Sequence, residues 1–162
     1  MTQRNRVLVA VGILVLVAAV ILGLEALERR STAGADVPAG SVPLYRDGKL
    51  VAALAPEDLE GLSPFSFIDA EEGKEQSGWL LRDVIGVHLD PDELDGAAVV
   101  RVSSSSREKE AVMTWHEVAD PANAVMLDLA NRGTLKLVSV MPSLDTRDEW
   151  VQDVDRVEVT GP

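Results

Sequence analysis

Pro43-Leu44-Tyr45-Arg46-Asp47-Gly48-Lys49-Leu50-Val51-Ala52-Ala53-Leu54 is the stretch that sets the class of this domain. Two short apolar-rich runs flank Asp47-Gly48, a two-residue connection favoured in tight β-hairpins. Beyond the hairpin, Pro56 at a first helical position, with Glu57 and Asp58 in the first turn, predicts a short helix ending near Gly61. Residues 65–68 read as a buried strand and 69–78 as a charged loop. Residues 79–85 carry Leu80, Leu81, Val84 and Ile85 at helical spacing, with Gly86 as the stop. Strands are then expected over 97–102, 110–114, 124–130 and 134–140, with a short helix at 115–118, a turn at Asn131-Arg132-Gly133 and a helical turn at 145–150. Val151, Val154, Val157 and Val159 read as one closing strand. The expectation is an α+β domain with a mixed sheet and small helices.

Towards the N-terminus, the composition changes. Residues 7–24 form an unbroken apolar run, preceded by Arg4 and Arg6 and followed by Glu25, Glu28, Arg29 and Arg30. At helical rise this run spans roughly 27 Å, close to the hydrocarbon thickness of a bilayer. A cleaved secretory signal shares the layout, but its apolar core usually runs about 7 to 15 residues. The small-x-small candidate Ala33-Gly34-Ala35 also lies beyond four charged residues that follow Leu24. Residues 1–30 are therefore expected to be a cytoplasmic tip and single transmembrane anchor, and 31–41 a flexible linker rich in small residues and proline. Basic residues number two on each flank, so the free amine tips the balance to a cytoplasmic N-terminus. Residues 42–162 then lie outside the cytoplasm, periplasmic or extracellular.

That leaves about 120 residues, enough for one domain. From residue 31 onward there are 11 Lys and Arg against 25 Asp and Glu, hence a charge of −14. Such a field repels nucleic-acid phosphates, so no nucleic-acid partner is expected. A protein partner or small ligand is. The chain has no cysteine, which removes disulfides, thiolate nucleophiles, iron–sulfur clusters and thiolate zinc sites.

Four pieces in order carry a family resemblance: Gly78-Trp79-Leu80-Leu81-Arg82-Asp83-Val84-Ile85; Val99-Val100-Arg101-Val102-Ser103; Met126-Leu127-Asp128-Leu129-Ala130-Asn131-Arg132-Gly133; and Leu135-Lys136-Leu137-Val138-Ser139-Val140-Met141-Pro142 with Trp150-Val151 and Val157-Glu158-Val159. Over residues 78–159 the chain resembles the later half of the sulfite-oxidase-like molybdopterin oxidoreductase domain. The resemblance implies that fold. In that family a cysteine thiolate before the glycine-helix segment holds molybdenum, and this chain has none. The matching region, 66–77, offers Ser66 and Ser77 as the conceivable oxygen ligands. The family also uses basic residues for the cofactor phosphate, and Arg101, Arg107 and Lys109 are the basic cluster near the resembling strand. They read as surface charges opposite Glu108 and Glu110.

Other constellations are incomplete. Asp90, Asp92, Asp95 and Gly96 resemble part of a calcium loop, but Leu94, Asp95 and Arg101 stand at its fifth, sixth and twelfth places. A solvated turn is the simpler reading. Two histidines, His88 and His116, could join Glu117 or Asp120 in a two-histidine, one-carboxylate site. Their spacing gives no support for this, and His116 reads as a partly buried structural residue. No G-x-S-x-G, G-x-G-x-x-G or G-x-x-x-x-G-K motif occurs. Trp79 and Trp150 read as core residues; Trp115 reads as core, or else as the cap of a pocket. Gly12 and Gly23 are too far apart for a G-x-x-x-G helix-packing motif.

The sequence thus points to a membrane-anchored, extracytoplasmic, non-catalytic binding or assembly module on a degenerate molybdopterin-oxidoreductase-like fold. No catalytic or metal-ligating residue is assigned, the cofactor-binding residues are unknown, and no cofactor is expected. Molybdopterin, in a redox subunit with unusual ligation, is the alternative enzyme reading. A structural accessory subunit of a membrane complex is the third.

Overall fold

A computed structural model describes residues 37–161. The expected anchor at 7–24 and most of the linker lie outside the described residues, and among those described no helix is long and apolar enough to cross a membrane. The described residues form an α+β arrangement with nine strands and three short α-helices. Where a single sheet was expected there are two.

The first sheet contains β1 (Val42–Arg46), β2 (Lys49–Leu54), β5 (Val99–Ser104), β6 (Lys109–Thr114) and β9 (Arg156–Thr160), in the order β2-β1-β9-β5-β6. The β1–β2 hairpin forms as the Asp-Gly signal predicts. Asp47 and Gly48 have φ of 50° and 76°, the left-handed pair that a tight two-residue turn demands. The register shifts between Leu44 and Tyr45, leaving Val51 as an extra residue on β2. Leu44 faces the core beside Val157, whereas Tyr45 lies on the outer face beside Glu158, buried under the Arg156 guanidinium 4.0 Å from its ring centroid.

The second sheet is antiparallel, β3-β4-β7-β8, built from β3 (Phe65–Ile68), β4 (Glu75–Leu80), β7 (Met126–Leu129) and β8 (Leu135–Val138). Several expectations are corrected here. Residues 75–78 are strand, not loop, because Gln76, Ser77 and Gly78 pair with Phe67, Ser66 and Phe65. Trp79 belongs to that strand and not to the following helix, because it and Leu80 pair with Leu127 and Met126. Strand β3 is an edge and not a buried strand; Ile68 is 62% exposed. Strands β7 and β8 are shorter at both ends than expected.

The helices are α1 (Pro56–Leu59), α2 (Leu81–Gly86) and α3 (Trp115–Ala119). Thr114 and Glu117 close a capping box on α3: the hydroxyl accepts from the Glu117 amide, and the carboxylate accepts from the Thr114 amide at 2.7 Å. Leu81, Val84 and Ile85 of α2 enter one core with Val100, Val102, Val157, Val159, Leu127 and Leu137.

The valine run at the C-terminal end divides between the two sheets. Val151 bridges Leu137 on the free side of β8, and the Val154 amide donates to the Leu135 carbonyl at 2.8 Å. Only Val157 and Val159 belong to β9, which inserts between β1 and β5. Asp153, at φ 52°, bends the chain between Val151 and Val154, and the crossing to the first sheet follows at Asp155, whose amide donates to the Ser103 carbonyl at 2.9 Å.

Candidate functional site

Asp128 on β7 and Lys136 on β8 stand directly opposite each other across the Asn131-Arg132-Gly133 turn. The Lys136 ammonium lies 2.8 Å from an Asp128 carboxylate oxygen and donates to Gln76 Oε1 at 2.8 Å. An ammonium can only donate, so this bond fixes which end of the Gln76 carboxamide is oxygen. Beneath them Trp150 supplies a ring whose centroid is 5.7 Å from Lys136 Nζ. The ladder between β4 and β7 covers only Gly78, Trp79 and Leu80. Outward from there, between Gln76 and Ser77 on one side and Leu129 and Ala130 on the other, a groove of about 570 Å3 opens. Its floor is the Gln76–Lys136–Asp128 set and its rim includes Arg132.

Two carboxylates fix the surroundings. Asp153 accepts from Arg132 and Thr134 of the β7–β8 turn through Oδ1, each at 2.8 Å, and from Arg107 of the β5–β6 turn through Oδ2 at 2.7 Å. It thereby ties a turn of one sheet to a turn of the other. Asp69, whose side chain is inaccessible to solvent, accepts from the Glu71 amide at 2.7 Å and from Arg147 Nε at 2.9 Å. That organises the β3–β4 turn and joins it to the segment leading to Trp150.

Both carboxyls are held below the ordinary aspartate value. At Asp69 burial pushes upward, and the Glu71 amide, the Arg147 guanidinium and the Glu72 amide together outweigh it. At Asp153 the Thr134 hydroxyl and then Arg107 pull it down. Glu117, through the Thr114 amide and hydroxyl, and Glu149, through the Thr146 hydroxyl and amide, are lowered too. A carboxyl more acidic folded than unfolded stabilises fully above its unfolded pKa, and that contribution disappears as pH falls through the folded value. The melting temperature is therefore expected to be flat from pH 7 to about 5 and to fall steeply below pH 4, with Asp69→Asn flattening the profile. Calorimetry across pH checks this; an unchanged melting temperature at pH 2.5 would contradict it.

The residues singled out from sequence do not converge here as a set. Ser66 and Ser77 are cross-strand partners, both exposed, and only Ser77 reaches the groove rim. Arg101 pairs with Glu110, as expected, but Arg107 pairs with Asp153 and not Glu108, while Lys109 donates to the Asp148 carbonyl. Those cations are thus engaged by neighbouring groups, and the two hydroxyls lie on an exposed strand face. Asp90 and Asp95 accept from the amides of Asp92 and Ala97, which makes them turn-formers.

His88 and His116 are both exposed, which corrects the partly buried reading of His116. Glu117 is committed to the α3 cap, and Asp120 accepts from the Ala122 amide. Among the described residues no three His, Asp or Glu side chains converge in a metal-holding group. All three tryptophans contribute to the core, Trp79 only partly buried.

Sequence reading missed Gln76, Asp128, Lys136, Asp153 and Arg147. Asp128 and Lys136 did leave a signal, a single charge inside each of two apolar strands placed opposite by the intervening turn. Compared with protein-family models and with curated proteins, the chain matches none of them.

Proposed function

We propose that this chain is a membrane-tethered, extracytoplasmic binding or assembly module, anchored through residues 7–24, that receives a small ligand or a protein partner at the groove between β4 and β7. The observation that carries the reading is the Gln76–Lys136–Asp128 floor. Its ammonium and carboxylate are already paired with each other, both largely withdrawn from water. A pre-ordered set of this kind recognises by shape and hydrogen bonding. The resemblance of the four segments implies a cofactor-binding fold whose thiolate ligand this chain lacks, and a domain that kept such an architecture for binding would fit it.

The deciding measurement is the molybdenum content of the full-length protein purified from a host that makes the cofactor. Metal at background, together with a thermal shift on adding the copurified partner or ligand, is the expected result. Near-stoichiometric molybdenum would overturn the non-catalytic reading, establish the redox alternative and direct the ligand search to residues 66–77.

A further inference from the structure

Strand β6 is an outer strand of its sheet, and its free side borders a slot of about 320 Å3. Five consecutive residues, 109–113, line one wall, and the segment 141–149 lines the other. An edge strand carries a row of backbone N–H and C=O groups able to pair with a further chain. Five extended residues cover roughly 16 Å, the length of a short strand. Met113, Met141 and Leu144 are buried beneath, and unbranched methionines adapt to different occupants. Val112, at mid-strand, is 53% exposed. The lining carries three carboxylates, Glu110, Asp148 and Glu149, against the ammonium of Lys109; Glu110 is already paired with Arg101, so Asp148 and Glu149 are the two that face an occupant.

We propose that β6 accepts an extended basic peptide segment as a sixth strand of this sheet. Main-chain pairing supplies affinity; lysine or arginine side chains on one face meet Asp148 and Glu149, while the alternate apolar ones lie beside Val112 on the exposed face. Charge decides the occupant. A second copy of the chain would bring its own acidic rim and a like net charge to the same contact, whereas a basic segment neutralises it. This surface is separate from the β4–β7 groove and stands independently of the role assigned there.

The test uses the full-length chain in phosphatidylcholine nanodiscs and a labelled ten-residue peptide of alternating lysine and valine, followed by fluorescence anisotropy against empty nanodiscs. Saturable binding is expected, weakened at least tenfold by Val112→Lys and about fivefold by the double change Asp148→Asn, Glu149→Gln. All three positions lie at the slot, and their side chains are not part of the buried core. A proline-interrupted peptide of equal charge should lose at least tenfold, since proline cannot pair as a strand. Equal binding of the two peptides would overturn the proposal by reducing it to charge alone. So would unchanged binding to Val112→Lys, or a dimer in sedimentation that Val112→Lys dissociates.

Discussion

Gly78→Ala is expected to destabilise this protein by about 3 kcal/mol, near the upper end of the cost of overpacking a tight interior. For a domain of this size that lowers the melting temperature by roughly 10 °C. A Cβ on residue 78 would lie 2.1 Å from the Leu127 carbonyl oxygen and 2.8 Å from Asp128 Cα. Both obstacles are backbone, so no side-chain rotation relieves them. Accommodating the methyl group requires β4 and β7 to separate at the pairs that hold Asp128 opposite Lys136. The groove should therefore loosen together with the fold. Gly61→Ala is the control, because a Cβ there meets nothing within 4 Å. Thermal unfolding of the two variants is the check; Gly78→Ala melting within 2 °C of the parent would show that the strands do not approach as closely as described.

The second large effect is expected at Trp150. Its side chain is 2% exposed and meets Phe67 edge-on, with ring centroids 6.5 Å apart and an interplanar angle of 84°. Its indole N–H donates to the Leu144 carbonyl at 3.1 Å, and the Arg147 guanidinium lies 5.7 Å from the ring centroid, as does Lys136. Trp150→Ala removes a large buried ring and leaves a cavity, at a cost of about 3–5 kcal/mol. It also removes the ring beside the Lys136 ammonium, so the binding proposed for the groove should weaken more than stability alone explains. Trp150→Phe retains most of the apolar contact and loses the N–H bond, which should cost roughly 1–2 kcal/mol. Denaturant unfolding measures both through the midpoint at constant slope. A cost below 1 kcal/mol for the alanine variant would mean that the ring does not hold the 144–151 segment in place.

Local signals in the sequence were legible where the physics is local. The Asp47-Gly48 turn requires two left-handed residues in succession, and few pairs supply them at low cost. Pro56 with Glu57 and Asp58 placed α1, and the valines before and after the serine run placed β5 and β6, although Ser103 and Ser104 belong to β5 and not to the turn. Asp90 and Asp95 read correctly as turn-formers for the same reason, since each bonds an amide two residues on.

What failed was whatever pairing decides. Residues 75–80 contain glycine, serine and charge, and nothing in their own propensity makes a strand. They become one because β3 and β7 offer ladders on both sides. The closing valines look like one strand by period, yet Val151 and Val154 join the second sheet while Val157 and Val159 enter the first. Hydrophobicity reports that a residue will be buried, but not which distant surface will bury it.

The sequence by itself determined the α+β class, the hairpin, the presence of short helices, the acidic composition and the cysteine-free chemistry, because each follows from residue type or from neighbours within a few positions. Only the tertiary structure decided that there are two sheets, that the last strand lies at the middle of one, and that Gln76, Asp128 and Lys136 meet at a groove with the Trp150 ring behind Lys136. Those outcomes rest on contacts between residues far apart in the chain, such as Gln76 with Lys136, 60 positions on, and Leu44 opposite Val157, 113 positions on. The free energy of such contacts appears only when both partners are already in place.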